Sequence, residues 1–187
     1  MHAQLVATRK WAEKNKTATF LLQTLIGANL IALLAQVAIP LPFVSISGQS
    51  LGVLLVGLAL GRKAGTSAVL LYLLEGAMGL PVFANGRAGL GVLMGPSGGY
   101  LFGFVLMAYI LGHFSDKGVL KSVWKTVAVA LFANAVMYAV GLAQLSLFVP
   151  TDKLLAVGLY PFIVGDLAKA VLASMLLSPV SRFFKKL

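Results

Sequence analysis

Asp166 and Lys169 lie three residues apart within an apolar stretch, residues 161–175, that reads PFIVGDLAKAVLASM. Helical spacing of i, i+3 puts the two side chains on one face. An ionisable group inside hydrocarbon costs roughly 2.5–3.5 kcal/mol on insertion scales, so such a pair must be enclosed by protein or face a cavity. A carboxylate can accept N–H groups from a ligand, and an ammonium can donate to a carbonyl. The same residues could instead form an ion pair whose purpose is to fix helix packing.

A second set of chemically useful residues falls in the long segment 79–100, GLPVFANGRAGLGVLMGPSGGY. The segment is too apolar for a solvated linker and too rich in glycine for a helix. A loop of this length usually serves as a lid or binding element, although a packed plug is the alternative. Arg87 is its single charge, and a guanidinium is suited to gripping a carboxylate with two parallel hydrogen bonds. Asn85 can donate to the same group through its amide. The earlier connection, residues 41–50 (LPFVSISGQS), supplies Ser47 and Gln49 for a polar ligand, with a turn or helix-start role equally open to Ser47. Glu75 is a further carboxylate inside an apolar run, able to be protonated, to bond a neighbouring helix or to sit near an interface. His113 reads as a boundary residue.

The elements that must position these groups are membrane helices. Apolar residues make up 59% of the 187-residue chain and charged residues 11%, with a mean hydropathy of +0.95. Several apolar runs approach bilayer length, which defines an integral membrane protein. The spacing predicts an all-α bundle of six transmembrane helices, near residues 19–39, 49–60, 65–78, 99–113, 123–149 and 161–177. The glycine-rich loop then joins helices three and four on the external side. Helices two and three are short, about 18–21 Å against a ~30 Å core, so a re-entrant hairpin is the alternative for them.

Charge chooses between these topologies. With six spans and both termini in the cytoplasm, twelve of the 15 Lys and Arg residues face inward: Arg9, Lys10, Lys14, Lys16, Arg62, Lys63, Lys117, Lys121, Lys125, Arg182, Lys185 and Lys186. Arg87 and Lys153 face outward and Lys169 is within a helix, a strong positive-inside bias. A re-entrant hairpin would move Arg62 and Lys63 outside. The net charge of +10 is thus topological and faces anionic lipid rather than nucleic acid. Residues 1–187 read as a single transmembrane substrate-binding domain with residues 1–17 as a cytoplasmic segment. A signal peptide at the N-terminus fits less well, since its removal would break the charge pattern.

Catalytic machinery is missing from the sequence. There is no HExxH, there are no clustered carboxylates and there is no cysteine, so neither metal nor thiol catalysis has its parts. Residues 61–67, GRKAGTS, lack the Gly-Lys-Ser/Thr ending of a phosphate loop. The chain is therefore expected to be neither an enzyme nor an ATPase, and to need no cofactor or metal. Ala28, Ala32 and Ala35 form a small-residue stripe on helix one, across which either a partner helix or the bundle itself can approach closely.

Two strings, GLPVFA…G…GPSGGYL…GF and PF…GDLAKA, together resemble the BioY family, the biotin-specific S components of energy-coupling-factor transporters. The likeness runs from about residue 39 to residue 174. It implies a six-helix, multi-pass protein of a bacterial-type cytoplasmic membrane that binds biotin from outside with high affinity, driven by a transmembrane T subunit and two ABC-type ATPases. It implies ligand contacts at Asp166 and Lys169 and, in the glycine loop, at Asn85 and Arg87. Ala28 and Ala32 match the AxxxA pattern by which S components meet the T subunit. The SISGQS string departs from the proline-rich one expected there, and Glu75 stands where an apolar residue is common. Biotin's ureido ring suits Asp166 and Lys169, its carboxylate suits Asn85 and Arg87, and Phe83, Tyr100, Tyr160 and Phe162 can wall its apolar body. The alternatives are an S component for another small vitamin, a solitary facilitator or secondary transporter, for which no internal repeat is found, and a membrane enzyme.

Overall fold

The computed structural model describes residues 14–185, with side chains through residue 177. Arg9, Lys10 and Lys186 of the charge count, and most of the N-terminal segment, lie outside the described residues. The chain runs through α1 (Lys16–Ala35), a short hairpin of β1 (Ala38–Ile39) and β2 (Ile46–Ser47), α2 (Gln49–Ala77), α3 (Leu90–Met94), α4 (Gly98–Asp116), α5 (Val123–Leu145), α6 (Thr151–Gly158) and α7 (Tyr160–Lys185). Among the described residues five stretches are long and apolar enough to cross a membrane: α1, α2, α4, α5 and residues 151–177.

The second of these is not a straight rod. In an unbroken helix Gln49 and Tyr72 would be roughly 35 Å apart at 1.5 Å per residue, yet Gln49 Nε2 donates to the Tyr72 hydroxyl at 2.6 Å. The chain doubles back at Gly61, whose φ of 76° and ψ of −177° interrupt the helix. That backbone region is essentially closed to any residue with a Cβ. Two antiparallel arms result, residues 49–60 and 62–77. They touch at Gly57 and Gly65, where an added Cβ on Gly65 would stand 3.1 Å from the Gly57 Cα. The Arg62 amide donates to Asp116 Oδ2 at 3.2 Å, and Ser115 Oγ donates to the Leu58 carbonyl at 2.6 Å, so the turn is tied to the end of α4.

Helix packing in lipid has little hydrophobic drive, because lipid tails are as apolar as leucine; close backbone approach and van der Waals contact must supply it. Small residues provide that here. A Cβ on Gly27 of α1 would meet the Ala68 Cβ at 2.8 Å, and one on Gly57 would meet the α4 backbone at Ala108. The buried core gathers Ile31, Leu54, Leu58, Val69, Met107 and Leu111 from α1, both arms of α2 and α4.

The alanine stripe belongs to this packing. Ala28 and Ala35 have no exposed surface, and Ala32 is half-buried against the core. Ala28 and Ala35 therefore pack within the bundle, where α1 approaches the α2 arms closely.

Several boundaries also differ from expectation. Helix one ends at Ala35, not 39, because Pro40 and Pro42 exclude helix before them and residues 38–39 pair as a strand with 46–47 instead. The glycine loop does contain a helix, the five-residue α3. Helix five stops at Leu145 rather than 149, and α6 precedes the last helix, separated from it at Leu159, whose φ of −129° and ψ of −59° are not helical.

Substituting Gly61→Ala should lower stability by about 1–3 kcal/mol, since the positive-φ strain is added directly. Asp116, whose carboxylate crowds the new methyl, can be removed in a Gly61→Ala/Asp116→Ala pair. Thermal unfolding in detergent should show that the pair is not restored to wild type, because the backbone strain remains.

Candidate binding cavity

Pro161 occupies the first turn of α7, where its missing N–H is not needed, and Asp166 follows about 1.5 turns later. Asp166 there points inward and is 6% exposed. Its Oδ1 accepts the Ser50 hydroxyl at 2.9 Å and Lys169 Nζ at 3.0 Å. Its Oδ2 accepts the Tyr138 hydroxyl from α5. Lys169 also donates to the Ser47 carbonyl at 2.8 Å and to Ser50 Oγ at 2.9 Å. The ammonium's three protons therefore meet three protein acceptors. Lys169 has no proton left for a ligand, whereas the Asp166 carboxylate and the Tyr138 oxygen retain acceptor capacity.

This network lines a cavity whose empty space, open mouth included, is about 570 Å³. Arg87 lines the same cavity. A tight turn brings it there: the Phe83 amide donates to the Arg87 carbonyl at 3.1 Å, and Asn85 and Gly86 take positive φ of 60° and 67°. Arg87 Nε donates back to the Ala84 carbonyl at 3.2 Å, and its terminal nitrogens donate to nothing among the described residues. The turn is anchored by Phe83, which is 1% exposed and meets the Tyr72 ring edge-on with centroids 5.5 Å apart. The Phe83 ring lies where a Cβ on Gly76 would be, so this seat requires glycine.

Much of the remaining wall is apolar. Phe83, Tyr100, Phe104, Met137 and Phe162 line the space. The Tyr100 hydroxyl is engaged with the Gly158 carbonyl at 2.7 Å, at the α6–α7 junction, so Tyr100 offers its ring rather than its oxygen. Gln49 lines the cavity with both polar ends engaged: Oε1 accepts Ser47 Oγ at 2.8 Å and Nε2 donates to Tyr72.

Seven of the nine substrate-binding residues expected from sequence therefore surround one space: Asp166, Lys169, Arg87, Phe83, Tyr100, Gln49 and Phe162. Two do not line it. Asn85 is exposed and donates to Ser45 Oγ at 2.9 Å, because its left-handed backbone turns the amide toward the neighbouring loop. Tyr160, 60% exposed, stands on the outer face of α7. Glu75 is partly buried on the second arm of α2 and is not among the lining residues.

Sequence reasoning missed Ser50 and Tyr138, the two hydroxyls that bind Asp166. Ser50 is next to Gln49 and could have been found in the same string. Tyr138 carries no local signal, since a tyrosine in an apolar helix is ordinary and its partner lies 28 residues away.

Breaking a buried ion pair on one side typically costs about 3–5 kcal/mol, because the other charge is left uncompensated, while replacing both partners is often near neutral. Asp166→Ala should accordingly lower the thermal midpoint strongly, and Asp166→Leu/Lys169→Met should recover most of it. The comparison is made by unfolding in detergent without ligand.

Known proteins resemble this one in sequence and fold. A family model described as the BioY family matches residues 7–186. A biotin transporter BioY of Thermotoga maritima is 42% identical over 148 residues, covering 79% of this chain and 86% of that one. Another, of Rhizobium etli, is 36% identical over 170 residues, covering 86% and 91%. The crystal structure of the S-component for biotin from an ECF-type ABC transporter superposes with a TM-score of 0.79 at 29% identity, covering 90% of this chain and 93% of that one.

Proposed function

Because this chain belongs to the BioY family, we propose that it is the biotin-binding S component of an energy-coupling-factor transporter and takes up biotin across the cytoplasmic membrane. The family is one of transporter components, not enzymes, and the cavity here serves binding. Power comes from partners, a T subunit and two ATPases. The whole chain acts as one substrate-binding domain needing no cofactor or metal of its own.

The observation that carries this reading is the chemical polarity of the cavity. The cavity presents acceptors, Asp166 and Tyr138, held in place by their own network, and the unengaged terminal nitrogens of Arg87. Biotin has matching ends: two ureido N–H donors on a fused ring, then an apolar ring and chain, then a carboxylate. The ureido group meets Asp166 and the carboxylate meets Arg87, since a carboxylate beside Asp166 would face like charge in a poorly screened site. Phe83, Tyr100 and Phe162 flank the apolar body. Gln49 and Lys169 hold the wall rather than the ligand. Asn85 fastens the loop to Ser45, and Tyr160 has no contact.

The fold-back at Gly61 supports a six-span topology. Each arm of α2 crosses as its own short span, and the turn is cytoplasmic. Arg62 and Lys63 at that turn lie at the same end as Lys117, beside the Arg62–Asp116 contact, as the positive-inside rule requires. Both termini are then cytoplasmic, and the glycine loop and cavity mouth are external.

Labelled biotin should bind the purified protein. Arg87→Ala should weaken binding about 10- to 100-fold, the worth of charge-assisted hydrogen bonds of roughly 1.5–3 kcal/mol. The same variant should bind biotin and biotin methyl ester alike, whereas wild type prefers the free acid. A ligand-bound structure with the carboxylate next to Asp166 would sink the assigned orientation. ATP-dependent uptake should require coexpression with the T subunit and ATPases; full uptake by this chain alone would overturn the S-component reading.

A further inference from the structure

The loop that covers the cavity is slung between two glutamines. At its far end, Gln144 of α5 donates through Nε2 to the Leu93 and Gly95 carbonyls, each at 2.9 Å. At its near end, Gln36, the residue capping α1, reaches across to the turn that carries Phe83, Ala84 and Arg87. Its Oε1 accepts the Gly86 amide at 3.1 Å. Its Nε2 donates to the Ala32 carbonyl at 3.0 Å and points at the Val82 and Phe83 carbonyls, each at 3.4 Å. Gln36 itself does not line the cavity.

The two glutamines differ in what it costs to let go. Gln144 and its carbonyl partners are partly buried, so parting them strands polar groups away from water. Gln36 and its bond to Gly86 are exposed, so water replaces a broken bond at little net loss. The second cover, residues 38–47, is tied to the same end of α1: the Gly48 amide donates to the Val37 carbonyl at 2.9 Å, and Asn85 joins that cover to the turn through Ser45.

We propose that Gln36 is a positioning residue, the releasable clasp that holds the Arg87 turn closed over the cavity and registers it against α1. The exposed edge of the turn, residues 85–87, opens about the seated Phe83, and ligand residence is set by how often the Gln36 contact parts. Anything that shifts α1 against the α2 arms then reaches the lid through this side chain, without any contact of its own with ligand.

The test rests on the biotin reading for its ligand arm and is independent of it for the other. Gln36→Met keeps the length of the side chain and removes its donor and acceptor; Gln36→Glu keeps the acceptor for Gly86 and loses the donors. With labelled biotin, Gln36→Met should dissociate about 10-fold faster than wild type, equivalent to ~1.4 kcal/mol, with association unchanged, and Gln36→Glu should fall between them. The unfolding midpoint of the ligand-free protein should not change. Since the chain has no cysteine, a nitroxide on Leu90→Cys, a 61% exposed site just after the turn, can report lid mobility without ligand. Gln36→Met should mobilise that label. Unaltered dissociation and label mobility would overturn the clasp, as would a lowered ligand-free midpoint, which marks a merely structural role. Failure of wild type to bind biotin would overturn the functional reading, while the label would still decide the clasp.

Discussion

An ammonium and a carboxylate placed deep in a membrane protein have to be satisfied by protein, and the rest of this structure is arranged around that requirement. Lys169 is held by three oxygens, from Asp166, Ser50 and the Ser47 carbonyl. Asp166 is held by Lys169, Ser50 and Tyr138. These contacts join α7 to the start of α2, to β2 and to α5, so the pair works as a polar bolt through several elements. Charge-assisted bonds of this sort are worth roughly 1.5–3 kcal/mol each, and in lipid no hydrophobic force replaces them. The bolt still leaves acceptor positions on Asp166 and Tyr138 unspent. A structural role leaves room for a binding one, because a carboxylate has more lone pairs than its partners use.

The cavity exists because the covering segments cannot pack as regular helix. Glycines permit the turn at residues 83–87, and Gly76 leaves space for the Phe83 ring. The loop is consequently pinned at a few points: Phe83 in its seat, the Gly89 amide on the Gly76 carbonyl, Gln144 at one end, Gln36 and Ser45 at the other. Such an arrangement can hold Arg87 over a ligand and also release it, which a fully packed cap cannot do.

The enclosed ion pair, the glycine-rich segment with its lone arginine and the break at Gly61 were all legible from sequence. Charges in apolar runs and glycine runs between them are costly patterns that carry their own explanation. Other features were not legible. The alanine stripe of α1 reads the same whether it faces a partner or the bundle, and only the fold shows Ala28 and Ala35 buried in the bundle. Asn85 sits two residues from Arg87 and looked equivalent to it, but a positive φ sends its amide to Ser45. Helix α6 is too short to stand out, and Tyr160 at the start of α7 was a wall candidate whose direction no spacing could give.

What sequence alone determined here is the class of environment each residue must have. Insertion energy forces membrane helices, the Lys and Arg bias orients them, and an ionisable pair must be enclosed. The tertiary structure decided which partner satisfies each group. Lys169 spends its protons on Ser47, Ser50 and Asp166, Tyr138 completes the carboxylate, and Gln36 holds a turn about 50 residues distant in the chain. Hydrogen bonds act over about 3 Å, so they depend on which segments folding brings together, and no local pattern encodes that.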